Sequence, residues 1–286
     1  MDPDRSSSPV GLAAVLGKPI AHSLSPVLHR AAYAALGLNG WRYDAIECDE
    51  GGLAELVSGS DPRVVGYSCT MPLKRELLRV AGTVSAQAAA IGAGNTLLRV
   101  GDEWYADNTD WIGIRDSLAA NGVAASGDVV LLGAGGTAQA ALAALAGAHE
   151  VTVLVREPGR ARTLLEAADR LDRQVRISTL DEHTALRDAE LVISTLPSGA
   201  ADGLAELPWR AGQSLLDASY HPWPSRLATA FDSVGGQVVS GAAMLLYQAA
   251  RQVELMTGRA APVPAMRAAI AAAAPGTGLV ADPRSA

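Results

Sequence analysis

The stretch LLGAGGTA, residues 131–138, decides the fold of this 286-residue chain. The apolar run that ends in it predicts a buried strand, and the alanine-rich segment that follows predicts a helix. Gly133, Gly135 and Ala138 fit the pattern G-x-G-x-x-G/A, which provides a tight turn, room for a pyrophosphate and close packing of helix on strand. The N–H groups at the start of the helix suit phosphates. We therefore expect a dinucleotide-binding unit here, rather than a glycine-rich packing turn.

The residues after the second strand of this unit bear on which dinucleotide binds. NAD-binding units carry Asp or Glu about 20 residues after the glycines, to bond the ribose hydroxyls. Here the strand at 151–155 is followed by Arg156, which suits a 2′-phosphate, with Arg160 and Arg162 adding positive charge. Glu157 would repel that phosphate if it pointed inward. The sequence favours NADP, with NAD as an alternative because of Glu157.

Composition limits the other classes of function. The net charge of −7 argues against nucleic-acid binding and against attachment to an anionic membrane. Cys48 and Cys69 have no CxxC spacing, and the five histidines form no ligand motif, so we expect no disulfide framework and no metal site. The N-terminus lacks an apolar signal core, and no run of eighteen apolar residues occurs, so we expect a cytoplasmic protein. Monomer and homodimer both remain open.

Strands and helices alternate along the whole chain, which predicts an α/β fold with a mostly parallel sheet. The expected division is a first α/β domain at 9–110, a Rossmann-like dinucleotide-binding domain at 111–241, and C-terminal helices at 242–273 that pack on the first domain. In the first domain we expect a helix at 25–36 with Ser25 as its N-cap, a helix at 73–81, and a hairpin across Gly101.

Because the dinucleotide unit occupies the middle of the chain, the first domain is expected to hold the substrate. Ser23 and Ser25 precede a helix, a setting that suits a carboxylate, although Ser25 alone also fits plain capping. The helix dipole disfavours a cation near the start of a helix, so the position of Lys74 needs an explanation. Either Lys74 has a functional role, or it is an ordinary surface lysine. Thr70 shares that segment. Asn95 and Asp110 lie at element boundaries, where turn chemistry is the alternative explanation.

Taken together, seven motifs resemble the shikimate dehydrogenase family, over nearly the whole chain from Val10 to Ala273. In chain order they are H-S-L-S-P (22–26), T-M-P-L-K (70–74), G-A-G-N-T-L (92–97), D-N-T-D (107–110), G-A-G-G-T-A (133–138), D-A-S-Y-H-P (217–222) and G-A-A-M-L-L-Y-Q (241–248). The resemblance implies a substrate domain, a Rossmann-like NADP domain, and the reduction of 3-dehydroshikimate to shikimate in aromatic amino-acid biosynthesis.

The resemblance also implies a role for each matching residue. Lys74 and Asp110 would be the catalytic pair, with the Lys74 ammonium donating a proton and Asp110 orienting it. The residues implied in substrate binding are Ser23, Ser25, Ser68, Thr70, Asn95, Tyr220 and Gln248. Those implied in cofactor binding are Gly133, Ala134, Gly135, Gly136, Thr137 and Ala138 at the pyrophosphate, Arg156 at the 2′-phosphate, and Gly241 and Met244 at the nicotinamide.

Three positions depart from the family pattern. Ser68 stands where the family often has Asn, so a substrate hydroxyl would be bonded less directly. Glu157 follows Arg156 where Thr is usual, which bears on the preference for NADP. Trp111 follows Asp110 in place of Gly. The rival hypotheses are a dehydrogenase of quinate or aminoshikimate, a non-catalytic nucleotide-binding regulatory protein, and a structural α/β protein.

Overall fold

The computed structural model describes residues 10–279, so position 9, where the first predicted domain begins, lies outside the described residues. The first half of the chain forms a six-stranded sheet in the order β2-β1-β3-β5-β6-β4. Its strands are β1 (Leu12–Gly17), β2 (Arg42–Glu47), β3 (Val64–Cys69), β4 (Thr83–Val84), β5 (Thr96–Val100) and β6 (Glu103–Asp107), and its helices are α1 (Ser25–Ala35), α2 (Leu53–Ser58), α3 (Glu76–Val80) and α4 (Ala86–Ile91).

The second half forms another six-stranded sheet, in the order β12-β11-β10-β7-β8-β9, and every pairing in it is parallel. Because the chain moves outward from β7 in both directions, the switch point lies between β7 and β10, where such sheets bind ligands. The elements are α5 (Asp110–Ala120), β7 (Ser126–Leu132), α6 (Gly136–Ala144), β8 (Gly147–Val155), α7 (Arg162–Arg170), β9 (Val175–Thr179), α8 (His183–Asp188), β10 (Leu191–Ser194), β11 (Ser214–Asp217), α9 (Arg226–Ser233) and β12 (Gln237–Ser240).

Two C-terminal helices return to the first half of the chain. They are α10 (Gly241–Thr257) and α11 (Val263–Ala273), and they contact α1, while α10 also crosses α5. Gly113 on α5 allows this crossing, since a Cβ there would lie 2.7 Å from the Met244 carbonyl oxygen and 2.8 Å from Gln248 Cβ. This close approach fixes the position of α10, the helix that carries Gln248, relative to the start of α5.

The elements differ from the sequence predictions at four points. The first sheet is mixed, because β5, the first strand of the expected hairpin, pairs antiparallel with both β3 and β6. Ser25 is not the N-cap of α1; Leu24 is, without a side-chain cap. The helix expected at 73–81 begins only at Glu76, so Lys74 lies in the preceding turn. Helices α4, α8 and α9 were not predicted, since their apolar patterns are short.

Candidate active site

A cavity of about 320 Å³ lies where the carboxyl ends of β1 and β3 face the starts of α5, α6 and α10. We call it the central cavity. It is lined by every residue predicted to be catalytic or to bind substrate, and by three residues predicted to bind the cofactor. The first group is Ser23, Ser25, Ser68, Thr70, Lys74, Asn95, Asp110, Tyr220 and Gln248, and the second is Thr137, Gly241 and Met244. Residues that are far apart in sequence therefore meet at one place.

Lys74 and Asp110 form an ion pair at the wall of the central cavity. Lys74 Nζ lies 2.5 Å from Asp110 Oδ2 and donates a second hydrogen bond of 3.0 Å to Thr137 Oγ1. The Lys74 side chain is 19% exposed and that of Asp110 6%, so solvent screens the pair only weakly. Gly136 makes room for the lysine, because a Cβ there would lie 3.3 Å from Lys74 Cδ. An ammonium in this position can stabilise negative charge and donate a proton.

Asp110 is fixed by hydrogen bonds as well as by Lys74. It is the first residue of α5, where the helix dipole stabilises a carboxylate. Its Oδ1 accepts from Asn95 Nδ2 at 2.8 Å, and its backbone N–H donates to Asn108 Oδ1 at 2.9 Å. Asn95 in turn accepts from the backbone N–H of Thr109 at 2.7 Å, which turns its NH₂ group toward Asp110 and toward Gln248 Oε1 at 3.1 Å. The catalytic candidate Asp110 thus sits in a rigid polar network.

Gln252 is a residue of the central cavity that the sequence analysis missed. It is 1% exposed, and its Nε2 donates to Asn95 O at 3.1 Å and to Thr96 Oγ1 at 3.0 Å. Because Asn95 O is a backbone carbonyl and can only accept, Gln252 Oε1 must face the other way, toward Ser68 Oγ at 2.7 Å. The signal for Gln252 was available, since it follows Gln248 by four residues and so lies on the same helix face.

This orientation determines what Ser68 can do. Gln252 Oε1 can only accept, so the Ser68 hydroxyl hydrogen is directed to it. Tyr43 OH then donates to Ser68 Oγ at 2.6 Å. One lone pair of Ser68 Oγ remains for a molecule in the cavity, to which Ser68 can offer an acceptor but no donor. His29 stacks on Tyr43 at 3.9 Å and lies 3.4 Å from Gln252, and burial lowers its pKa to about 3, which keeps it neutral.

Ser23, Ser25 and Tyr220 line another part of the central cavity. Ser25 is 5% exposed, and its backbone N–H donates to Ser23 Oγ at 3.3 Å, so Ser23 rather than Ser25 supplies the side-chain oxygen at the start of α1. Tyr220 lies in the loop after β11, and burial raises the pKa of its hydroxyl. Asp217 Oδ1 accepts from Ser219 N at 3.0 Å and steadies this loop. The two serines at the start of α1 make this part of the cavity wall polar.

A second cavity, of about 500 Å³, lies beside the glycine loop, and we call it the glycine-loop pocket. Four of the residues predicted to contact the cofactor line it: Gly133, Ala134, Gly135 and Arg156. Gly133 has a φ of +100°, and a Cβ on it would meet Thr195 Oγ1 at 2.8 Å. A Cβ on Gly135 would meet nothing within 4 Å, and no side chain of residues 10–279 caps α6 there. The open space and free N–H groups fit a pyrophosphate.

The remaining predicted cofactor residues lie elsewhere. Ala138 is fully buried in the core, which agrees with its expected packing role but places it away from both cavities. The Thr137 hydroxyl faces Lys74 in the central cavity rather than the glycine-loop pocket. Glu157, by contrast, does line the glycine-loop pocket; it forms an ion pair of 3.0 Å with Arg160, so its charge is partly neutralised by a residue other than Arg156. The repulsion expected between Glu157 and a 2′-phosphate is reduced accordingly.

A dinucleotide-binding sheet joined to a partly buried ammonium–carboxylate pair defines a nicotinamide-dependent oxidoreductase of two α/β units. Comparison with known proteins agrees. Residues 15–97 match the model of the shikimate dehydrogenase substrate binding domain, and 241–271 that of the shikimate 5′-dehydrogenase C-terminal domain. Residues 128–220 match the model of an F420-dependent NADP oxidoreductase.

Individual relatives cover most of the chain. The shikimate dehydrogenase (NADP(+)) of Hyphomonas neptunium is 39% identical over 85% of this chain and 90% of its own length. The crystal structure of the Mycobacterium tuberculosis shikimate dehydrogenase is 45% identical, with a TM-score of 0.85 over 92% of this chain and 99% of that one. The enzyme of Thermus thermophilus, crystallised with NADP(H) and shikimate, is 32% identical, with a TM-score of 0.78 over 92% and 100%. The chain belongs to the shikimate dehydrogenase family.

Among residues 10–279, no helix combines the length and the apolar character that crossing a bilayer requires.

Proposed function

We propose that this protein reduces 3-dehydroshikimate to shikimate with NADPH, reversibly, in aromatic amino-acid biosynthesis. The observation that carries the proposal is the Lys74–Asp110 ion pair, which lines the central cavity and contacts Thr137 of the glycine loop. A proton donor thus lies at the junction of the two expected binding sites. The names of relatives that cover most of the chain give further support.

Lys74 and Asp110 are the proposed catalytic residues. The cofactor, when bound, supplies the hydride, and the protein supplies the proton. The Lys74 ammonium stabilises the oxyanion that forms at the reduced carbonyl and donates a proton to it. Asp110 accepts one hydrogen of the ammonium and Thr137 accepts another, which leaves the third for the substrate. In the oxidation direction the roles reverse, and the Lys74 amine accepts the proton of the substrate hydroxyl.

The other residues of the central cavity are proposed to hold the substrate. Ser23 and Ser25 bind its carboxylate, because two hydroxyls and a helix start suit an anion. Asn95, Gln248 and Ser68 bond ring hydroxyls, with Thr70 and Tyr220 in contact. The glycine loop is proposed to hold the pyrophosphate, Arg156 the 2′-phosphate, and Gly241 and Met244 the nicotinamide end.

The expected division at 9–110, 111–241 and 242–273 fits this assignment of substrate and cofactor. The first sheet ends with Asp107, and α10 begins at Gly241. We further propose a cytoplasmic enzyme that is a monomer or a homodimer. Oxidation of quinate or an aminoshikimate is the rival activity, and the paired serines favour shikimate. Side-by-side rates on shikimate, quinate and aminoshikimate would decide between them.

The test uses the fact that this chain has two lysines, Lys18 and Lys74. Formation of NADPH at 340 nm is followed with shikimate as substrate. Lys74→Ala is expected to lower kcat by about 10²–10⁴-fold with a smaller effect on KM. Lys74→Arg keeps the charge, but a guanidinium stays protonated and does not act as a general acid, so this variant is also expected to be slow.

Lys18→Ala is the matched control, because Lys18 is half-exposed and paired with Asp49 at 3.0 Å. It is expected to keep wild-type kinetics. Near wild-type turnover by Lys74→Ala would remove Lys74 from the mechanism. No oxidation of shikimate by the wild-type protein with NADP or NAD would overturn the proposed function itself.

A further inference from the structure

Arg75, next to Lys74 in the turn before α3, reaches across to the second half of the chain. Its Nη2 donates a hydrogen bond of 2.5 Å to Thr163 Oγ1, on α7. Arg75 lines the glycine-loop pocket together with Gly133, Gly135 and Arg156. It is the one residue of the first half of the chain among those that line this pocket. The pocket is therefore built from both halves.

The charges around the pocket divide into two groups. Arg160 pairs with Glu157 at 3.0 Å, and Arg162 pairs with Glu166 at 3.4 Å. Within residues 10–279, neither Arg75 nor Arg156 belongs to an ion pair. Two guanidinium groups without a carboxylate partner thus line the same pocket. Arg75 is held only by a neutral hydroxyl, which leaves other N–H groups of its fork for an anion.

We propose that Arg75 is a specificity residue for the cofactor, which together with Arg156 holds the 2′-phosphate of NADP between the two halves of the protein. The inference rests on the proposed function. Thr163, which positions Arg75, lies on α7, shortly after the end of β8 and Arg156. In dinucleotide-binding units the ribose is bound at the end of this second strand. The guanidinium fork matches phosphate geometry. Phosphate binding by Arg75 also fixes the turn that carries Lys74.

Equilibrium binding to the full chain, without substrate, tests this proposal. Titrations with 2′,5′-ADP, 5′-AMP, NADPH and NADH are compared for the wild type and for Arg75→Gln, because each pair differs only in the 2′-phosphate. We expect Arg75→Gln to weaken 2′,5′-ADP and NADPH about 10-fold or more, the loss of one hydrogen bond to a charged group. Binding of 5′-AMP and NADH is expected to stay within about twofold. Arg75→Lys, which keeps the charge without the fork, is expected to lie between.

Arg79→Gln is the control, because Arg79 is exposed, pairs with Glu76 at 2.7 Å and does not line the pocket. Equal weakening of both ligand pairs by Arg75→Gln would place Arg75 at the pyrophosphate and overturn the proposal. Unchanged binding, or a wild type that does not distinguish 2′,5′-ADP from 5′-AMP, would overturn it too. The shikimate assay is separate: its failure removes the proposed function, whereas these titrations report on the phosphate site alone.

Discussion

Replacement of Gln252 by leucine tests whether the polar network orients Ser68. Leucine is close to glutamine in size, so the change removes hydrogen bonds without leaving a large cavity. Two of the former partners stay satisfied: Asn95 O still accepts from Cys69 N at 2.7 Å, and Thr96 Oγ1 still donates to Asn95 Oδ1 at 2.8 Å. The Ser68 hydroxyl can rotate toward the central cavity. Of the former partners of Gln252, His29 Nε2 alone is left buried without an acceptor.

The expected cost therefore comes from one stranded donor, about 1–3 kcal/mol of the free energy of unfolding. The Ser68 hydroxyl, no longer directed to Gln252, loses its fixed role as an acceptor in the cavity. We expect KM for shikimate to rise roughly tenfold, an effect of about 1.4 kcal/mol, with kcat within about twofold, as for a loss of ground-state binding.

Urea unfolding and steady-state kinetics of Gln252→Leu measure both effects. The control is the double variant Gln252→Leu/His29→Phe, in which the stranded donor is gone while the ring stacked on Tyr43 is kept. It is expected to be less destabilised than the sum of the two single variants. Additive destabilisation, or a Gln252→Leu protein with wild-type stability and KM, would refute the assignment of hydrogen-bond directions.

Three other perturbations have defined outcomes. Gly113→Ala places a Cβ 2.7 Å from a carbonyl oxygen of α10, so it is expected to lose about 1–3 kcal/mol in urea unfolding, whereas Gly203→Ala, with open space around it, is neutral. Gly136→Ala, whose Cβ would lie 3.3 Å from Lys74 Cδ, is expected to lower kcat more than it weakens NADPH binding; the reverse would contradict this geometry. The pKa of His29 is about 3 folded against 6.5 unfolded, so its contribution to stability is present above pH 6.5 and lost toward pH 3. Between pH 7 and pH 5 the wild type should lose about 2 kcal/mol more than His29→Phe in urea unfolding.

The sequence predicts the second sheet well and the first less well, for a physical reason. Parallel strands buried on both faces, such as β7 and β10, read as continuous apolar runs, and the glycine loop marks the step from strand to helix. In the first half, β4 has two residues and α4 six, too few for a periodic pattern. The start of α3 is misjudged because the residues at 73–75, Leu-Lys-Arg, have helical composition but belong to a turn.

The residues of the central cavity follow from the family motifs, but their hydrogen-bond directions do not. Considered alone, Ser68 is a poor substitute for the family's asparagine. The structure adds an amide from another element, since Gln252 on α10 contacts Ser68 across 184 positions of sequence. Such a pairing depends on how α10 crosses the first sheet. Local patterns carry no information about that crossing, whereas the spacing of Gln248 and Gln252 does indicate a shared face.

The contact between Lys74 and Thr137 links the two binding sites physically. Lys74 belongs to the first half of the chain, and Thr137 is the second residue of the helix whose N-terminus is proposed to hold the pyrophosphate. A shift of α6 against the first sheet would change the 3.0 Å hydrogen bond from Lys74 to Thr137. Asp110 would then be the remaining partner of the Lys74 ammonium. Because Arg75 follows Lys74 directly and bonds α7, the turn at 71–75 is attached to both helices that flank the glycine-loop pocket. Cofactor binding can therefore set the position of Lys74, the proposed proton donor, without any contact between cofactor and lysine.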